Sequence, residues 1–208
     1  MTPTEIESLF TRADGSFLCA RWGRPIVPVV FGVEEATLAT VKGAIEAVVA
    51  HARHRMAETD PELGANLMVF FFRDWSELPQ VPNLERMIPG LGPLCTRLED
   101  AGANQYRTFR HDGAGAIRAA FVFLRMDRHL SALPAADLAL AQAAQVMLSW
   151  GEKAFAAASP LARDGERVLL RPEIAGLIRA AYDPVLPPAS QDPAHALRLA
   201  ARMPHDLR

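Results

Sequence analysis

Residues 134–158, PAADLALAQAAQVMLSWGEKAFAAA, form the longest apolar run of helical period in the second half of the chain. A helix this apolar has to be covered over most of its surface, so the elements before it are expected to pack on it. Gln142 and Gln145 lie at its centre, three residues apart and therefore on one face. Two amides in an apolar surface need hydrogen-bond partners when buried. On one reading they bond the backbone of a neighbouring strand, or Tyr182, and fix the helix in place. On the other they line a cleft that takes a peptide or a small ligand.

The preceding chain supplies a sheet. Residues 1–22 read as an irregular arm or short helix leading to Trp22, and 24–32, RPIVPVVFG, as a strand whose two prolines make it irregular or confine it to an edge. Leu38, Val41, Ile45, Val48 and Val49 recur at helical spacing within residues 34–56. Glu34 and Glu35 at its start and the Arg and His residues at its end suit the helix dipole. Residues 66–72, NLMVFFF, are a continuous apolar run of strand length, expected to be covered on both faces. Residues 74–92 read as a proline-punctuated loop with a short helix inside it, and 91–99 as at most two helical turns. DGAG at 112–115 joins 104–111 to 116–126 as a hairpin, with Ile117, Ala119, Phe121 and Phe123 on one face of the second strand. Ser159-Pro160 ends the central helix; a short extended piece or turn at 168–170 and helices over 171–182 and 194–203 follow. The order is β-α-β-(α)-β-β-α-α, an α/β (α+β) fold with a mixed sheet packed against a central helix. One domain over residues 23–203 is expected, with the arm at 1–22 and a tail at 204–208.

Half of the 208 residues are hydrophobic and 22% are charged, the balance of a globular chain with a substantial core. A net charge of -2 gives no electrostatic case for binding nucleic acid or an anionic membrane. Cys19 and Cys95 are far apart in apolar contexts and read as buried free thiols. The first residues, MTPTEIESLFTRADGSF, lack a basic and apolar leader, and no run reaches the ~18 apolar residues of a membrane span, so a cytoplasmic chain is expected.

Several short motifs share one resemblance. They are Trp22 ahead of PIVPVVFG, Ala65-Asn66 and Gly115-Ala116-Ile117 before apolar strands, Ala141-Gln142-Ala143-Ala144-Gln145 on the central helix, and Ala181-Tyr182-Asp183-Pro184-Val185-Leu186. Together they resemble a bacterial domain family of unknown function with a zincin-like (metallopeptidase-like) fold. That family's pattern has Glu-Glu-x-x-Gln on the helix and Leu-Tyr-Asp-Pro-Arg-Leu near the C-terminus, and its members are often exported. A working zincin uses His-Glu-x-x-His, because two imidazoles one turn apart ligate zinc and the carboxylate handles the water proton. Here Ala141 has no ligand atom, glutamine is a neutral amide, and the family's own acids are missing. The resemblance therefore implies a degenerate metal-site helix with no metal and no other cofactor. It implies a non-catalytic binding or interaction module whose cleft lies between the central helix and strand 116–126. Gln142, Gln145 and Tyr182 are its candidate ligand-binding residues, and a protein or peptide is its expected partner.

Other residues could carry chemistry. His51 and His54, one turn apart, are half of a metal site or a basic helix end that suits the dipole. His111 with Asp112, and Asp127 with His129, could pair a base with an acid in wet loops. The competing function is a hydrolase built on these histidines, which requires two or more of them to converge with acids in one pocket. A structural subunit of a homo-oligomer is a third reading. Trp75, Leu78, Val81 and Met87 in the proline-rich loop either form a partner surface or cover the sheet.

Overall fold

The computed structural model describes residues 1–204. The chain runs α1 (Pro3–Phe10), β1 (Cys19–Ala20), β2 (Pro28–Phe31), α2 (Glu35–His51), β3 (Leu67–Phe72), a 3-10 segment (Trp75–Gln80), α3 (Leu84–Met87), α4 (Leu91–Asp100), β4 (Gln105–His111) and β5 (Ile117–Arg125). A 3-10 turn (Leu130–Ala132), α5 (Ala135–Val146), β6 (Leu161–Asp164), β7 (Arg167–Leu170), α6 (Pro172–Ala181), β8 (Ala189–Ser190) and α7 (His195–Ala200) complete it. The fold is mixed α/β. Its main sheet has the order β2-β3-β5-β4, with β2, β3 and β5 parallel and β4 antiparallel at one edge.

Both faces of this sheet are covered, which is why β3 reads as unbroken apolar sequence. Leu67 and Val69 of β3 with Ala120, Val122 and Leu124 of β5 face α2 and α5. Met68, Phe70 and Phe72 with Phe121 and Phe123 face the 3-10 segment, α3 and α4. Trp75 and Leu78 are buried on that second face, so the proline-rich loop covers the sheet. Ile117 departs from the face predicted for it and joins the α2/α5 core. The register shift against Arg110 and His111 gives β5 one extra residue there, which re-aims its first side chain. Ile117 also bridges Trp22.

Of the two readings of residues 1–22, the short helix is the one observed, and it is packed into the core. Ile6 and Phe10 of α1 and the side chain of Trp22 are fully buried in the main core. Their presence shortens the central helix, which stops at Val146 although apolar sequence continues to Ala158. Leu148 forms an antiparallel bridge to Arg21, the Ser149 N–H donates to the Ala20 carbonyl, and Gly151 N–H donates to Leu9 O at 2.8 Å. A Cβ at Gly151 would collide with the Thr11 carbonyl oxygen. Helix carbonyls exposed by this early stop are taken by aromatic donors: Trp22 Nε1 to Val146 O at 2.8 Å, Tyr182 OH to Met147 O at 2.9 Å and Trp150 Nε1 to Ala144 O at 3.2 Å. Cys19 and Cys95 are buried free thiols, and burial pushes the Cys19 thiol up to about 12. No helix among the described residues is long and apolar enough to cross a membrane. Of the expected tail, residues 205–208 lie outside the described residues.

Candidate ligand-binding cleft

β4 is an edge strand seven residues long with one neighbour, β5. The bond from Arg125 N–H to Asn104 O fixes the alternation of this antiparallel ladder. Tyr106 and Thr108 turn their backbone groups to β5, whereas Gln105, Arg107 and Phe109 turn N–H and C=O to the open edge. Beside that edge is a cavity of about 510 Å³. Five consecutive residues of β4, Gln105 to Phe109, line it on one side. Gln145, Ser149, Trp150, Gly151, Glu152, Phe155 and Ala156 line it on the other, with Arg12. The second wall is held rigidly, since Trp150 stacks on Phe10 at 5.1 Å, meets Phe155 edge-on at 5.0 Å, and Ser149 Oγ accepts from Ala20 N–H at 2.9 Å.

The electrostatic centre is Arg107. Its Nη2 donates to Gln142 Oε1 at 2.7 Å and to Gln105 Oε1 at 3.0 Å, and Gln142 Nε2 donates to Gln105 Oε1 at 2.9 Å. Because a guanidinium only donates, both amides must turn an oxygen towards it, which fixes their orientation. No carboxylate pairs with Arg107 among the described residues. Its Nε is sealed from solvent with no acceptor. Burial pulls the guanidinium down to about 10, which still leaves it charged at neutral pH. Glu152 is the one carboxylate among the lining side chains, and its Oε2 accepts from Ala13 N–H at 2.9 Å. Two guanidiniums, Arg12 and Arg107, therefore face the cavity against one acid.

The residues singled out in the sequence separate into different places. Gln145 lines the cavity and turns its Nε2 back to Ala141 O at 3.2 Å. Gln142 is buried and reaches the cavity through Arg107. Tyr182 does not line it; its hydroxyl is fixed on Met147 O and accepts from Trp22 N–H, and burial raises its pKa. Between α5 and β5, where the cleft was expected, lies a void of about 10 Å³, lined by Gln142 together with apolar side chains such as Val41, Val69, Val122 and Ala143. The open space lies one strand further out. His51 Nε2 meets Ala175 O at 2.8 Å and His54 Nε2 meets Arg24 O at 2.9 Å, so each carries its proton on that nitrogen. Burial lowers the pKa of His54 and of His111, whose Nε2 is buried without a partner. Asp127 holds the turn before Leu130 through bonds from His129 N–H and Leu130 N–H. None of these histidines lines the cavity.

Arg107 escaped the sequence reading, although a signal was present. In QYRTFRH the inward positions of β4 are Gln105, Arg107 and Phe109, and a charge on the core-facing side of a strand breaks the expected pattern. The resemblance of residues 141–145 to a metal-site helix raises the question of zinc, and the donors there do not fit it. Ala141 has no ligand atom, Gln145 bonds its own helix, and the Gln142 oxygen is already taken by a fixed cation that would repel a second one. No group of three His, Cys, Asp or Glu side chains among the described residues is placed to hold a metal. The chain matches no family model, and no curated protein and no solved structure is significantly similar to it.

Proposed function

We propose that this chain is a non-catalytic binding module on a zincin-like scaffold, and that its cleft takes an extended peptide along β4. The observation that carries the reading is the position of the cavity, about 510 Å³ running beside five consecutive residues of an unpaired edge strand. Three outward N–H and C=O pairs, at Gln105, Arg107 and Phe109, can add one strand to the sheet, the mode in which backbone bonds give affinity and flanking pockets give selectivity. A long edge strand left open is otherwise a liability. Catalysis finds no support in the same walls. They contain no His or Cys, Glu152 is committed to a backbone N–H, and Ser149 has no base beside it.

Hydrogen exchange in the presence of a randomised hexapeptide library with free C-termini, acidic residues included, tests this. Slower exchange at the amides of Gln105, Arg107 and Phe109, with β2 unaffected, is the expected result. A library that leaves those three amides exchanging at their free rates sinks the proposal.

A further inference from the structure

We infer that Arg107 makes this cleft a receptor for a carboxylate carried by the peptide, the guanidinium serving as the fixed cation of a site that has no metal donors. The inference rests on the peptide-binding reading and narrows it to a ligand class.

Three observations lead to it. The first is an unbalanced charge. Gln105 and Gln142 occupy both hydrogens of Nη2, while Nε is sealed without an acceptor and Nη1 has no partner among the described residues. Amide dipoles hold a cation in place without cancelling it, and a part-buried guanidinium gains from an anion that reaches its open Nη1 through a charge-assisted bond. The second is rigidity. The Arg107–Gln105–Gln142 triangle closes on itself, with its three members on β4 and α5 tied by bonds of 2.7–3.0 Å. A donor fixed in advance loses little freedom when its acceptor arrives.

The third observation selects among anions. Arg12 and Arg107 against Glu152 leave the lining one positive charge in excess, enough for a monoanion and too little for a phosphate dianion. No lysine lines the cavity, and Trp150, Phe155 and Phe109 give it broad apolar walls. A single carboxylate attached to an organic chain meets both conditions. An α-carboxylate at a peptide C-terminus and an acidic side chain share this chemistry.

The test uses the full chain and three acetylated hexapeptide libraries, randomised over the same uncharged residues. One has a free C-terminal carboxylate, one is amidated, and one is amidated with a single fixed glutamate. Bound peptides are quantified by affinity selection, and amide protection along β4 is followed in parallel. Retention of the free-acid library at least about tenfold above the amidated one assigns the site to a C-terminal carboxylate. The same gain in the glutamate library instead assigns it to an acidic side chain. Either gain should fall about tenfold in Arg107→Gln and only partly in Arg107→Lys, which keeps the positive charge without the guanidinium's bonds to Gln105 and Gln142. Far-UV circular dichroism and a urea midpoint establish that both variants are folded. If all three libraries bind equally, protect β4 and ignore Arg107→Gln, the carboxylate inference is overturned while the peptide reading stands. If none of the three is retained or protects β4, the peptide reading fails and takes this inference with it.

Discussion

Arg24 and Arg107 each organise a cluster of side-chain amides and backbone around one sheet strand, and the two clusters are built in opposite ways. Arg24 Nη1 lies 2.7 Å from Glu62 Oε2 and 3.3 Å from Asp60 Oδ2. Asp60, almost fully buried, also accepts from Glu62 N–H, Leu63 N–H and Asn66 Nδ2. Asn66 closes the set, accepting from Val27 N–H at 2.8 Å and donating to Pro25 O at 2.9 Å. Arg118 Nη2 lies 3.2 Å from the same Glu62 oxygen, so two cations meet two acids, and the cluster staples the entries of β2 and β3. Around Arg107 the amides are equally well bonded, but there is no opposing charge and a cavity lies alongside. A closed network fixes a fold, whereas a network with one cation left over has affinity to offer a ligand.

The contrast breaks first at Asn66. Asn66→Ala strands the Val27 N–H and the Pro25 carbonyl and removes one of the two donors to Asp60 Oδ2, and should cost about 3 kcal/mol in urea unfolding. A loss below about 1 kcal/mol would mean the Arg24 cluster is not closed. Its pH dependence is equally specific. Burial alone would raise the Asp60 carboxyl, but bonds from Glu62 N–H, Asn66, Leu63 N–H and Arg24 outweigh it and hold the group at about 2, below the ordinary 3.8. A folded pKa below the unfolded one contributes stability that is fully present above about pH 4 and is lost as pH falls through about 2. The stability gap between the wild type and Asp60→Asn should therefore be widest above pH 4 and shrink towards pH 2. A gap constant over that window would remove the ionised Asp60 from the argument.

Between these clusters stands Tyr182, which the sequence grouped with the glutamines. Its hydroxyl closes the end of α5, so Tyr182→Phe should cost about 1–2 kcal/mol and leave peptide retention at the β4 cleft unchanged. Lost retention in a folded Tyr182→Phe protein would tie the phenol to the site after all.

Local pattern carried much of the fold. The prolines of residues 24–32 marked β2 as an edge, NLMVFFF marked a strand covered on both faces, and DGAG placed the β4–β5 turn. What local pattern could not carry was competition from distant chain. Residues 147–158 are apolar enough to continue α5, yet Leu9, Ala20 and Arg21 offer backbone partners that the sequence around Trp150 does not announce. The β6–β7 hairpin turns at Gly165-Glu166, and its strands, only four residues long, give too short an alternation to stand out. For the site, the helix face with Gln142 and Gln145 was legible, because two amides stand out in apolar sequence. Its partner was not, since the pairing of Arg107 with Gln142 spans 35 residues and depends on β4 lying at the edge nearest α5.

The smallest expected effect is the most telling for the comparison. Arg107→Gln removes the cation and leaves Gln105 and Gln142 bonded to each other, so no buried charge loses a partner. If Arg107 were structural in the way Arg24 is, its loss would cost several kcal/mol, as breaking a buried pair does. With no pair to break, unfolding in urea should change by no more than about 1 kcal/mol, and the sign can favour the variant because an uncompensated cation has left a part-buried site. A large destabilisation would show that the guanidinium holds β4 to α5, and would reassign the cluster from a ligand's anchor to a second staple.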